Sequence, residues 1–463
     1  MSMAQIGSSG FSRALQSIDV SKKAKLPWVV SLYLFCLVVP MGYQLGPLAL
    51  STQRLLLLIV TVPLMAGLLM GRYGRVFATD WLFALHILWA GIALLVNNPD
   101  RAVEQIGSVG MEFLGGYAIG RVYIRDQATF LALCKRLALF VCLALPFAIY
   151  ETITGRPILL ETIGSLPGIS SVAPIDTGKR LELNRVQMVF AHPIHFGLFC
   201  SIVMSLTFVG LKGVISDGRR WITTLIVGLS GFFALSSGAL LALVLQMGLI
   251  LWAGIFASMK QRWWLLFGLF VLAYVLVDIV ANRTPILVFL SYMTFSEETA
   301  YWRTIIFEWG IANIFGSEAK GVASHFWFGL GLNDWARPAY MYSGSMDNFW
   351  LLMAVSYGVP GFLFLAIGYL SILVRIIRLK IEDVRLALCR RAWVFTFMGI
   401  TFTLSTVHIW GSLYSFFAFM FGAGVWMLTA PMSRPSTTDQ PPPTVESVRP
   451  PTRYTRFPAD VPQ

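Results

Sequence analysis

The chain has 463 residues, 57% of them hydrophobic and only 13% charged, with a mean hydropathy of +0.71. These proportions exclude an ordinary soluble enzyme and fit a polytopic membrane protein, whose helices are apolar on most sides. The net charge of +12 does not point to nucleic acid, because the basic residues are spread over many loops and form no single patch. Residues 1–26 are polar and hold no cleavable leader, so they read as a cytoplasmic N-terminal segment. The apolar runs that follow predict an all-α polytopic integral membrane protein with about 12 transmembrane helices. They lie roughly at 27–45, 53–71, 79–97, 103–122, 129–150, 191–211, 221–236, 238–257, 263–281, 346–374, 390–408 and 411–430. Each is near the length of about 20 residues that a bilayer demands.

Basic loop residues fix the orientation. With the N-terminus inside, the inner loops hold Arg72 and Arg75, Lys212 and Arg219, and the run from Arg375 to Arg391, while the short outer loops are poor in Lys and Arg. Both termini are then cytoplasmic. Two long loops, about 151–190 and 282–345, fall outside. Loops of this length are functional or disordered, and their Trp, Tyr, Phe and Ile content predicts that these are folded. Within the second, Ala300 to Phe315 has apolar residues at helical spacing and reads as an amphipathic helix on or near the membrane surface. Residues 431–463, rich in proline, predict a disordered cytoplasmic tail. The five cysteines lie in or beside apolar runs and suggest no disulfide framework.

The outer loops supply the groups for chemistry. The first gives Lys179, Arg180, Glu182, Asn184 and Arg185, then His192 and His195. The second gives Arg283, Tyr301, Arg303, Glu308, His325, Asp334, Arg337, Tyr340, Tyr342 and Asp347. The set is rich in arginine and lacks metal-ligand spacing. His192 and His195 have no neighbouring acidic partner, and no phosphate-binding glycine loop occurs. Guanidinium forks near a membrane surface suit a phosphate, which they bind through two oxygens at once. The plain alternative is that arginines such as Arg283 and Arg337 anchor the chain at the interface. Asp347 likewise has a plain reading, as the N-cap of the helix that follows. Asn348 to Gly358 is about 15 Å of helix, half the hydrocarbon thickness. The helix is therefore expected to kink near mid-membrane at Gly358–Gly361, opening a groove for a lipid tail. Glu112, mid-span, is either a structural hydrogen-bonding residue or a lining group.

These fragments, in order, resemble the O-antigen ligase and O-antigen polymerase superfamily. "NRVQMVFAHPIHFGLF" resembles the family's arginine-bearing entry to the sixth helix. "FALSSGALLAL" resembles its "SRGA" turn, with Ser237 where an arginine is often found. "YWRTIIFEW" and "SHFWFGLGLNDW" resemble its periplasmic arginine helix and the glycine-rich stretch after it. Asp347-Asn348, nine residues, then Gly358-Val359-Pro360-Gly361 resembles its His-Asn and Gly-x-x-Gly signature. Asp347 departs from the ligase histidine and resembles the exopolysaccharide-polymerase branch.

The resemblance implies a GT-C-like glycosyltransferase of the bacterial inner membrane that works without metal or nucleotide. Its donor would be an oligosaccharide on undecaprenyl pyrophosphate, and a flippase and a chain-length regulator are its expected companions. Carried over, Arg185 and Arg303 hold the pyrophosphate, Asp347 is the base with His325 in reserve, and Asn348, Arg180, Arg337 and His195 help to bind substrate. A ligase that moves finished polymer onto lipid A-core is the alternative within the family. A transporter or flippase is the alternative from another class.

Overall fold

The computed structural model describes residues 25–45, 48–281, 285, 288, 297–341 and 343–430. The expected N-terminal segment up to residue 24, Arg283, Tyr342 and the proline-rich tail lie outside them. The chain opens with helix α1 (Trp28–Val38), a hairpin of β1 (Gly42–Leu45) and β2 (Leu48–Ser51), then α2 (Thr52–Leu69) and α3 (Ala78–Asn97). Next come α4 (Pro99–Gly110), a π-helical turn (Met111–Gly115) and α5 (Gly116–Tyr123), followed by α6 (Gln127–Thr154) and the short α7 (Ile158–Gly164). A second hairpin, β3 (Lys179–Arg180) with β4 (Leu183–Asn184), leads into α8 (Pro193–Ser205) and its π-helical extension (Leu206–Gly210). The rest is α9 (Asp217–Phe233), α10 (Ser237–Ile255), α11 (Arg262–Val280), α12 (Glu297–Phe315), α13 (Phe349–Arg378), α14 (Val384–Thr403) and α15 (Gly411–Gly422).

Eight helices among the described residues are long and apolar enough to cross a bilayer. Helices dominate because a chain this apolar must satisfy its backbone within each segment. The other four expected spans also contain helix. Those helices are short (α1), interrupted by a π turn (α4 to α5), or fall outside the length or hydropathy of a clear span (α9, α14). Among the described residues both long loops carry structure, the first in α7 and the β3–β4 hairpin and the second in α12.

One large core joins most of the helices. At its centre Tyr369, Trp393, Phe397 and Phe421 cluster, Tyr369 stacked on Phe421 with centroids 4.7 Å apart and Trp393 tilted against Phe397 at 4.4 Å. Helix α5 meets α15 backbone to backbone: a Cβ on Gly120 would stand 2.0 Å from the Phe419 carbonyl oxygen. Small residues one turn apart, Gly116 and Gly120, are what permit that approach.

A second, smaller cluster unites α12 with the first turns of α13. Ile305, Ile306 and Ile314 pack with Trp335, Met346, Leu351 and Val355. The expected surface helix is therefore a wall of this cluster. Its inward side buries Arg303 and Asn313 as well as the isoleucines, so its sidedness is not one of polarity.

The expected break in α13 is present. Gly358 adopts φ 73°, ψ 171°, a conformation open to glycine almost alone. The expected lipid groove is not what the break makes. Loop residues Phe326 to Gly331 fill it: Val359 N–H donates to the Phe326 carbonyl (2.8 Å), Leu330 N–H to Val355 (2.8 Å) and Gly331 N–H to Ser356 (2.9 Å). Trp89 of α3 donates to the carbonyls of Trp327 (3.2 Å) and Tyr357 (3.1 Å) and stacks on Phe328 at 5.6 Å. A broken helix frees backbone groups, and at membrane depth only protein can satisfy them. Here the loop does so.

Candidate functional site

Helix α13 begins at Phe349, and its N-cap is Asn348, not Asp347. The Asn348 side-chain oxygen accepts from Leu351 N–H at 3.1 Å. Its own N–H is taken by the Met346 carbonyl, and Phe349 N–H by the carbonyl of Leu404 at 2.8 Å. Asn348 is buried, while Asp347 is exposed and accepts one hydrogen bond, from the Ser345 hydroxyl at 2.8 Å. The cap explains Asn348 and leaves the carboxylate of Asp347 free for another role.

Arg303 lies within electrostatic reach of it. Its side chain projects from the buried side of α12 and is only 7% exposed. Nε and Nη1 have no hydrogen-bond partner among the described residues. Burial pulls the guanidinium down to about 10; Asp347 opposes that shift and Arg180 adds to it. Arginine remains charged at neutral pH, so Arg303 is a buried cation within electrostatic reach of one exposed carboxylate, Asp347.

Two more guanidiniums gather at the end of α9. The β3–β4 hairpin carries Arg180 there, and Arg185 follows the hairpin directly. Arg180 donates from Nη1 to the Leu235 carbonyl at 2.9 Å, and Arg185 from Nε to Ala234 at 3.4 Å. The Val186 N–H joins the carbonyl of Phe233 at 3.0 Å. Cations at the carbonyl end of a helix are in the favourable place for its dipole. Burial lowers both guanidiniums, Arg185 to about 10 with help from the neighbouring charge of Arg180. Arg180 is felt by both Arg185 and Arg303, so the three form one electropositive set, with Asp347 the acidic group that acts on Arg303 among the described residues.

Three of the chain's five histidines close the site. His192 caps α8, its Nδ1 accepting from Ile194 N–H at 3.1 Å, and it lies within electrostatic reach of Arg185 and Arg180. His195 is fully buried, with neither ring nitrogen hydrogen-bonded, and its ring meets Trp410 at 4.0 Å. His408 stacks on Trp410 at 5.5 Å and on Phe349 at 6.3 Å. His408 and Trp410 were not singled out from sequence. The available signal was a histidine-tryptophan pair in a short turn between two apolar runs.

Other expected residues lie elsewhere. His325 hydrogen-bonds through Nδ1 with the Asn313 carbonyl (3.2 Å), ten residues and about 15 Å along α12 from Arg303. Arg337 is committed to an ion pair with Asp334, to the Met341 carbonyl at 3.3 Å and to the face of Trp335. Neither joins the set. Glu112 is structural: it takes the Arg54 Nε–H at 2.9 Å in the π-helical turn and faces the backbone of Gly411. Among the described residues, no group of three or more His, Cys, Asp or Glu side chains is placed to hold a metal ion.

No family model matches the chain, and no curated protein matches it.

Proposed function

We propose that the chain is a membrane glycosyltransferase of the O-antigen ligase and polymerase type, acting as a polymerase of lipid-linked repeat units. In this reading it crosses the bacterial inner membrane about 12 times with both termini in the cytoplasm, and the arginine set faces the periplasm. The observation that carries the proposal is Arg303: a buried guanidinium with two unpartnered nitrogens, backed by Arg180 and Arg185 and faced by one free carboxylate. Such a site is incomplete without an anion. Three guanidiniums against one carboxylate suit a doubly charged pyrophosphate diester.

The chemistry follows from the arrangement. Undecaprenyl pyrophosphate carries the donor glycan. A sugar hydroxyl of the acceptor attacks the anomeric carbon, and its proton passes to Asp347. The new C–O bond forms as the bond from the anomeric carbon to the phosphate oxygen breaks. The pyrophosphate leaves with the electron pair, and Arg180, Arg185 and Arg303 stabilise its charge. His192 sits close enough to the cations to line the same opening. A flippase that delivers the donor and a chain-length regulator are the partners this chemistry calls for.

The polymerase is preferred to the ligase because an exposed aspartate, free of capping duty, stands where the resembled ligases have histidine. Replacing Arg303 with alanine should abolish polymer while the protein stays in the membrane and single repeat units accumulate on lipid. Normal polymer from that variant would refute the assignment. Long polymer stranded on undecaprenyl pyrophosphate, in cells lacking the protein, would identify a ligase instead.

A further inference from the structure

The outer side of α12 carries a group of rings that the reading above does not use. Tyr301 is 51% exposed and Tyr340 63% exposed, and their hydroxyls meet at 3.5 Å. Trp302 lies between them, its ring centroid 5.5 Å from Tyr301 and 6.3 Å from Tyr340. Two turns on from Tyr301, Glu308 is half exposed and pairs with Lys320 at 3.6 Å, and Lys320 lies over the Trp309 ring at 5.1 Å.

Exposed aromatic rings on a membrane protein have an ordinary explanation, a belt at the lipid headgroups. The charges on this face keep it out of the hydrocarbon, since an ion pair two turns from Tyr301 along the same side of the helix has no place against lipid tails, and the rings therefore face a polar layer. Rings next to hydroxyls and charges fit a ligand that is apolar on its flat faces and polar at its rim. A pyranose is such a ligand: its C–H faces lie on aromatic rings while its hydroxyls reach polar groups.

We propose that Tyr301, Trp302 and Tyr340 form a glycan-binding platform that holds sugars remote from the bond being made. The inference rests on the transferase reading for the identity of the glycan, the chain under construction. Trp302 is one residue from Arg303, so it is turned by about 100° around α12 from the guanidinium. Tyr301, two residues from Arg303, is turned by about 200°, so its ring lies across α12 from that guanidinium. Sugars held there steady a long acceptor while its terminal hydroxyl reaches Asp347, the use to which remote binding energy is put in catalysis.

The test uses the full chain in lipid nanodiscs and, as probe, lipid-free oligosaccharide fragments cut from the surface polysaccharide of the cell that makes the protein. Saturation-transfer NMR reads binding at the sugar C–H protons. The fragments should bind the wild type, and the double variant Tyr301→Ala/Tyr340→Ala should bind at least tenfold more weakly, a change of about 1.4 kcal/mol. Tyr340→Phe, which keeps the ring, should bind within about twofold of wild type. Fragments that fail to bind wild type, or that bind the double variant equally well, overturn the platform. So does a double variant that keeps its fragment affinity and only loosens its hold on the nanodisc, the mark of a headgroup belt. Arg303→Ala should bind the fragments normally, since they carry no pyrophosphate. If Arg303→Ala still makes polymer while the double variant loses the fragments, the transferase reading falls and the sugar platform stands.

Discussion

Gly358→Ala is the sharpest probe of how this fold is held together. Gly358 has φ 73° and ψ 171°, and a Cβ there would stand 2.1 Å from the Trp327 carbonyl oxygen and 2.5 Å from its carbon. Those are backbone atoms, so no rotamer change relieves the clash. An L residue in that conformation costs about 1–3 kcal/mol. Withdrawing the loop to make room breaks the Val359–Phe326 hydrogen bond and the bond from Trp89 to Trp327. Each is worth about 1 kcal/mol, and more where the freed group finds no water. The sum is about 3–6 kcal/mol. The assay is denaturation by SDS in mixed micelles, with limited proteolysis of the 325–331 segment as a second reading. Gly248→Ala is the control: in the middle of α10 nothing lies within 4 Å of the added carbon, and a gain of roughly 0.5–1 kcal/mol is expected. A Gly358→Ala protein with the wild-type midpoint and wild-type protease resistance would refute the argument that the loop plugs the helix.

Four further outcomes follow from the site and the core. Asp347→Asn should remove polymerising activity in a membrane assay and lower the unfolding midpoint only slightly, by less than about 1 kcal/mol, because the carboxylate is exposed, caps nothing and faces Arg303 from the water side. Asn348→Ala should do the reverse in part, costing about 1 kcal/mol of stability in the same titration through loss of the cap. Arg303→Lys keeps the charge but not the fork, so polymer yield should fall by about tenfold or more on a gel of surface glycans. Arg54→Met should destabilise by about 1–3 kcal/mol by stranding the buried carboxylate of Glu112, the partly exposed arginine keeping the loss below that of a fully buried pair, and adding Glu112→Leu should restore most of it, as a double-mutant cycle in SDS would show.

Much of this was legible because the signals are physical and local. Apolar runs of span length announce helices, and a glycine-valine-proline-glycine string announces a break. What escaped depended on single-residue register or on distant chain. Asp347 and Asn348 are both good capping residues, and only the start of α13 decides between them; it falls so that Asn348 reaches Leu351 and Asp347 points to water. The break was readable and its filling was not, since Phe326 to Gly331 lie some thirty positions earlier and join α13 through backbone groups that any sequence carries. Arg185 and Arg303, and Arg180 with them, could be named as candidate site residues from type and place, and they fall within electrostatic reach of one another, but His325 and Arg337, of equal promise by composition, are engaged elsewhere. His408 enters the site only because the turn after α14 folds back, with the Leu404 and Val407 carbonyls accepting from Phe349 N–H.

Helix α13 links the stability of this fold to the chemistry proposed for it. Its first turn fixes Asp347 through the Asn348 cap, and its side packs against the α12 face that bears Arg303. Its break, lower down, grips the loop that leaves α12, so the helix carrying the cation is tied to the helix carrying the acid at two separated points. Group transfer is sensitive to displacements of about 1 Å between reacting groups, and two ties resist rotation where one would act as a hinge. Gly358→Ala should therefore lower polymer yield as well as stability, although Gly358 lies about 15 Å along α13 from Asn348. Activity lost in proportion to folded protein would mean that the loop merely stabilises. Activity lost beyond that, in protein still folded at the assay temperature, would mean that it also positions Arg303 against Asp347.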